Sequence, residues 1–130
     1  MAVPKSRPTF SLDDIKKLLQ RPETRVVTGR ALREAASLGY ANEEEMLQEV
    51  QLIQKTEFEQ SIPCDHNPKV WQDVYILCRR HPLKEGRQWL YVKLQLGFDG
   101  SKAILISFHA AEDPLDRRVP YRSRTQILNS

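Results

Sequence analysis

The chain has 130 residues, 40% of them hydrophobic, which suffices for one modest core and is too few for two ordinary domains. Its formal charge of +3, from 20 Lys and Arg against 17 Asp and Glu, leans towards an anionic partner without defining one. No apolar run nears the roughly 20 residues of a membrane span, "MAVPKSRPTF" lacks the apolar centre of a signal peptide, and neither Cys64 nor Cys78 sits in a CxxC, so a cytoplasmic protein with reduced thiols and no membrane partner is expected.

In chain order, residues 1–9 contain two prolines and no periodicity, and are expected to be a mobile lead into a single domain over 10–113. Order starts at "SLDDIKKLLQ". Ser11 is a helix N-cap, acids follow in the first turn, and Leu12, Ile15, Leu18 and Leu19 fall on one face before Pro22 closes the helix. "RVV" reads as a short strand. Thr28 then caps "GRALREAASLG", with Leu32, Ala35, Ala36 and Leu38 predicted inward and Gly39 as the stop. A third helix follows Asn42. Its opening glutamates suit the positive end of the helix dipole, and Met46, Leu47, Val50 and Ile53 form its buried stripe.

The period then changes. "VWQDVYILC" (70–78), "QWLYVKLQLGF" (88–98) and "KAILISFHA" (102–110) are rich in β-branched and aromatic residues and are separated by turn signals. Helices followed by strands in blocks predict an α+β domain, with N-terminal helices packed on one face of a C-terminal antiparallel sheet. Residues 114–130, "PLDRRVPYRSRTQILNS", offer little to bury and are expected to be a flexible basic tail.

The last two strands can be registered by arithmetic. A three-residue loop at Asp99, Gly100 and Ser101 pairs Leu96 with Ile104, Leu94 with Ile106 and Val92 with Phe108 on the buried face, and Gln95 with Leu105, Lys93 with Ser107 and Tyr91 with His109 on the open one. A loop two residues longer keeps the faces and shifts the partners. Either way a phenol, an ammonium, a hydroxyl and an imidazole share one side of the sheet, a set that can bind phosphate, stabilise its developing charge and move protons. RNA brings its own nucleophile, the 2′-hydroxyl, so a ribonuclease needs only these functions and a stacking surface, for which Trp89 is a candidate. No cofactor is implied. His66 and His81 lie in loops near prolines, and "CDH" at 64–66 has no second ligand cluster to complete a metal site.

The side on which Gln72 falls is open at this level. Strict alternation that puts it with Tyr91 sends Trp71, Asp73, Tyr75 and Leu77 towards the core, where Asp73 needs a partner such as an arginine or backbone N–H groups. The opposite assignment buries Val70, Val74 and Ile76 together with Gln72. A bulge near Asp73 would reconcile the two.

The strings "WQDVY", "YVK" and "ILISF", following helices that read "LDDIKKLL" and "TGRALREAASLG", resemble the MqsR family of type II toxin–antitoxin toxins over roughly residues 9–113. The resemblance implies a RelE-like α+β fold, sequence-specific endoribonuclease activity on mRNA, and neutralisation by an antitoxin of the MqsA type. Position by position it puts Gln72, Tyr91 and His109 in the active site, His109 standing where better-known relatives carry Lys. A further family Lys aligns with Gln60 of "FEQSI". That loss of a cation shifts phosphate binding onto Lys93 and the nearby Arg79, Arg80 and Arg87, with Trp89 and Ser107 as further RNA contacts. Imidazole suits acid–base work near neutral pH, since it ordinarily titrates at about 6.5. A non-catalytic module of the same fold that binds RNA or an antitoxin is the alternative; Gln60 favours it, whereas His109 with Tyr91 favours the enzyme.

Overall fold

The structure, a computed structural model, describes residues 3–111; the Arg-rich stretch 114–130 lies outside them. Among the described residues the elements run α1 (Leu12–Leu19), β1 (Arg25–Val27), α2 (Gly29–Ser37), α3 (Glu43–Gln51), β2 (Phe58–Pro63), β3 (Trp71–Arg80), β4 (Arg87–Leu96) and β5 (Ala103–Ala110). The helices begin at the caps read from the sequence. Ser11, Thr28 and Asn42 each accept a backbone N–H three residues on, from Asp14, Ala31 and Glu45, so the orphan donors of each first turn find a partner. Gly39 ends α2's turn at φ 100°, a conformation strained for any residue with a side chain.

The five strands form one sheet in the order β1-β5-β4-β3-β2. The α+β class holds, but the sheet is mixed and not wholly antiparallel: β1 runs parallel to β5. The pairing follows from what comes next in the chain. Beyond β1, the Thr28 N–H donates to Leu105 O at 3.2 Å and the Thr28 hydroxyl donates to Ile106 O at 2.9 Å, so the strand hands its partner directly to the cap of α2. β2, an edge strand ending in Pro63 and bulged between Phe58 and Gln60, was not foreseen, because "FEQSIP" has neither the alternation nor the composition of a core strand. The lead-in expected to be mobile is tied to β2's outer edge, where Lys5 and Ser61 exchange backbone hydrogen bonds of 2.8 and 2.9 Å.

The core lies between the helices and one face of the sheet. Leu12, Ile15 and Leu19 of α1 and Met46, Leu47 and Val50 of α3 pack with Tyr75 and Leu77 of β3, Leu90, Val92 and Leu94 of β4, and Leu105 and Phe108 of β5. Each such side chain contributes about 1.5–3 kcal/mol of burial. In α2 the buried pair is Ala31 and Ala35, while Leu32, predicted inward, is exposed and so is Ala36. The Thr28 anchor sets this rotation: it brings the start of α2 against β5 and turns its alanines, which allow close approach, towards the sheet.

Register between β4 and β5 matches the expected one at Tyr91–His109, Val92–Phe108 and Lys93–Ser107 and then slips by one, to Leu94–Leu105, Gln95–Ile104 and Leu96–Ala103. Ile106 is the extra residue of a bulge. Leu105 and Ala103 therefore enter the core in place of Ile104 and Ile106, which are half-buried. The bulge falls where β5 exchanges β1 for the Thr28 hydroxyl.

Candidate active site

Strict alternation along β3 settles the position of Gln72. Asp73 points to the helix side and is fully buried; its carboxylate accepts the N–H of Thr9, at 3.0 Å to each oxygen, and that of Phe10 at 2.9 Å. These donors satisfy the buried charge, so no bulge is needed at Asp73 and Gln72 is free to take the opposite face.

That face is organised in rows across the strands. One row is Gln60, Val74, Lys93 and Ser107; the next holds Ile76, Tyr91 and His109. Gln72 stands one step further along, where its amide donates to Gln95 Oε1 at 2.8 Å. The face is not a bare surface as its sequence suggested. Val74, Ile76, Gln72 and Ser107 are buried and make a floor, above which Tyr91, Lys93, Gln95 and His109 are half-buried.

Tyr91 and His109 are stacked, with ring centroids 4.4 Å apart and planes 12° from parallel. The register pair thus lies face to face. His109 Nδ1 lies 2.8 Å from Ala110 O. A carbonyl can only accept, so this contact requires the proton on Nδ1 and leaves Nε2 as the nitrogen that takes a proton in the neutral ring. Lys93 Nζ lies 5.9 Å from the centre of the Tyr91 ring, at the outer limit of a cation–π contact. Burial holds the Lys93 ammonium below its ordinary pKa, and the charge of Arg30 lowers it further, against the opposing pull of Asp65, Cys64 and Glu34. Such a lysine gives up a proton more readily than one in water.

The remaining candidates divide. Trp89 pairs with Cys78 and Arg80 with Arg87 further along the same hairpin, both arginines exposed. Ser107 is 1% exposed and its hydroxyl has no hydrogen-bond partner among the described residues, so it lies in the floor and not on the surface. Arg79 is not brought to this face. It lies on the helix side, where Nε is 3.1 Å from Glu49 Oε1 and the two terminal nitrogens reach Glu57 at 2.7 and 2.9 Å; Glu49 also accepts the Tyr40 hydroxyl at 2.9 Å. Two acids saturate this guanidinium. The cleft of about 250 Å³ lined by Leu19, Arg25, Leu47 and Gln51 also belongs to the helix side, away from the titratable set.

Sequence reasoning missed Arg30. Its i,i+4 spacing to Glu34 was visible, but the action of its charge on Lys93 depends on where α2 docks.

A layer of helices on one face of a five-stranded mixed sheet is an α+β fold of the RelE-like kind. The chain belongs to the MqsR toxin family: the family model described as motility quorum-sensing regulator, toxin of MqsA, matches residues 7–110. Membership makes it a toxin of a toxin–antitoxin system, with an antitoxin as its partner. No curated protein matches the chain. No helix among the described residues is long and apolar enough to cross a membrane.

Proposed function

We propose that the protein is a metal-independent, sequence-specific endoribonuclease that cuts mRNA in the cytoplasm and is held silent by an MqsA-type antitoxin. The observation that carries this reading is the Tyr91–His109 stack with Nδ1 committed to Ala110 O, because it fixes an imidazole whose Nε2 can take a proton. In the proposed reaction His109 Nε2 removes the proton of a 2′-hydroxyl. The 2′-oxygen bonds to the adjacent phosphorus and the bond from phosphorus to the 5′-oxygen breaks. Lys93 stabilises the charge on the phosphoryl oxygens, Tyr91 orients the phosphate and protonates the leaving 5′-oxygen, and Gln72, in the buried floor, positions the half-buried Gln95 through its amide bond. Trp89 offers a base-stacking surface, and Arg80 and Arg87 extend the cationic track along the hairpin. The products are a 2′,3′-cyclic phosphate and a 5′-hydroxyl. No water is consumed in this step.

A non-catalytic module that binds RNA or the antitoxin is the second reading, favoured by the uncharged Gln60 in the Lys93 row. Incubating the purified full chain with a long RNA in EDTA separates them. Discrete fragments ending in 2′,3′-cyclic phosphate support the enzyme; intact RNA retained in a stable complex supports the module.

A further inference from the structure

The cationic side of the candidate site does not end at the sheet. Arg30, in the first turn of α2, lies with its Nε 3.3 Å from Glu34 Oε2, and the other oxygen of Glu34 accepts the backbone N–H of Phe108 at 3.0 Å. The Thr28 hydroxyl fixes the start of the same helix to Ile106 O at 2.9 Å. These two anchors bracket Ser107, the partner of Lys93 in register, and stop one residue short of His109. Arg30 is therefore tethered through Glu34 to the strand that carries the proposed general base. Its side chain is 65% exposed, and its charge acts on Lys93 in the same direction as burial, lowering that ammonium's pKa. A salt bridge this exposed adds little stability, so the pairing is more telling as placement than as cohesion. Glu34 occupies one edge of the guanidinium; a planar fork with five donors keeps others for a phosphate.

We infer that Arg30 is an RNA-phosphate-binding residue, contacting the backbone beside the scissile phosphate from the α2 edge of the Tyr91–Lys93–His109 face. This rests on the RNA reading proposed above and adds to it a second wall: the substrate strand would run between α2 and the β3–β4 hairpin, with Arg30 on one side and Arg80 and Arg87 on the other. Arg30 and Lys93 repel each other when both are charged, and a phosphate placed between them relieves that repulsion.

The test uses the full chain and a 2′-O-methyl RNA oligonucleotide, which binds but offers no nucleophile. Arg30→Gln should weaken binding about tenfold, the value of a charge-assisted phosphate contact, and should flatten the slope of log affinity against log salt by about 0.7. Arg30→Lys should restore the slope and only part of the affinity, because a point charge replaces the fork. Arg33→Gln, one turn position away and exposed, should change neither. Unchanged affinity and slope in Arg30→Gln would overturn the inference. Parallel cleavage of unmodified RNA by the parent separates the two levels. A parent that cuts RNA while Arg30→Gln binds normally removes Arg30 alone. A parent that cuts nothing while Arg30→Gln binds more weakly removes the ribonuclease and leaves Arg30 as an RNA contact.

Discussion

The buried carboxylate of Asp73 accepts the backbone N–H of Thr9 from 64 residues away, and this contact decides which face of the sheet Gln72 occupies. Because Thr9 and Phe10 together satisfy the charge, β3 keeps its regular alternation and presents Gln72 beside Gln95 on the Tyr91 side. The same bonds lead the chain into α1.

Asp73→Ala should therefore destabilise the fold by about 3 kcal/mol, since it removes charge-assisted bonds and leaves two N–H groups unpaired. Urea unfolding measures it. A loss below about 0.5 kcal/mol would mean that water replaces the carboxylate without cost.

Arg79 gives a contrasting prediction, because its pairs with Glu49 and Glu57 are largely shielded from solvent. Arg79→Ala should cost about 3 kcal/mol by stranding both acids, yet should leave the RNA cleavage sites of the folded protein unchanged. A variant of parental stability with weakened RNA binding would return Arg79 to the substrate.

The same cluster sets an acid limit. Burial alone would raise the Glu57 pKa, but the hydrogen bonds from Arg79 and the Gln54 N–H, with the Arg79 charge, outweigh it and hold the carboxyl below its ordinary value of 4.5. A carboxyl with a lower pKa in the folded state contributes stability that is present above the unfolded value and is lost as pH falls through the folded one. Glu57→Gln should accordingly flatten the decline of stability below about pH 4.5. Parallel acid-denaturation curves for parent and variant would refute this coupling.

The helices were the most legible part of the chain, since Ser11, Thr28 and Asn42 act through bonds to residues three positions away. The sheet was legible only where pairing is local. Tyr91 meets His109 as turn arithmetic requires, but the extra residue at Ile106 answers to Thr28, 78 positions earlier, and no strand-level period encodes that. The parallel β1–β5 pair was hidden for the same reason, and the edge strand β2 because "FEQSIP" lacks the alternation of a core strand. Arg79 and Arg80 look equivalent in sequence; once Gln72 is placed, parity sends one to a pair of glutamates and the other to solvent.

Lys93 predicts the alkaline side of the pH–rate profile. Burial and the charge of Arg30 lower its pKa, Asp65, Cys64 and Glu34 oppose them, and Tyr91 and Ser107 are its remaining polar neighbours on β4 and β5. If the protonated amine stabilises phosphate charge, turnover at saturating RNA should fall at a pH below that of an ordinary lysine. Lys93→Arg should move that limb upward, since guanidinium does not titrate in this range. An unmoved limb would take Lys93 out of the chemistry.

The most direct test of the central proposal is the single-turnover cleavage rate of His109→Ala on an RNA that the parent cuts. His109 is half-buried at the end of β5, outside the hydrophobic core, so the variant should fold with parental circular dichroism. The proposal predicts a rate lower by about 10² to 10⁴, the usual contribution of a positioned acid or base, with 2′,3′-cyclic phosphate ends on the residual product. A folded His109→Ala protein that cuts the same RNA as fast as the parent would contradict it.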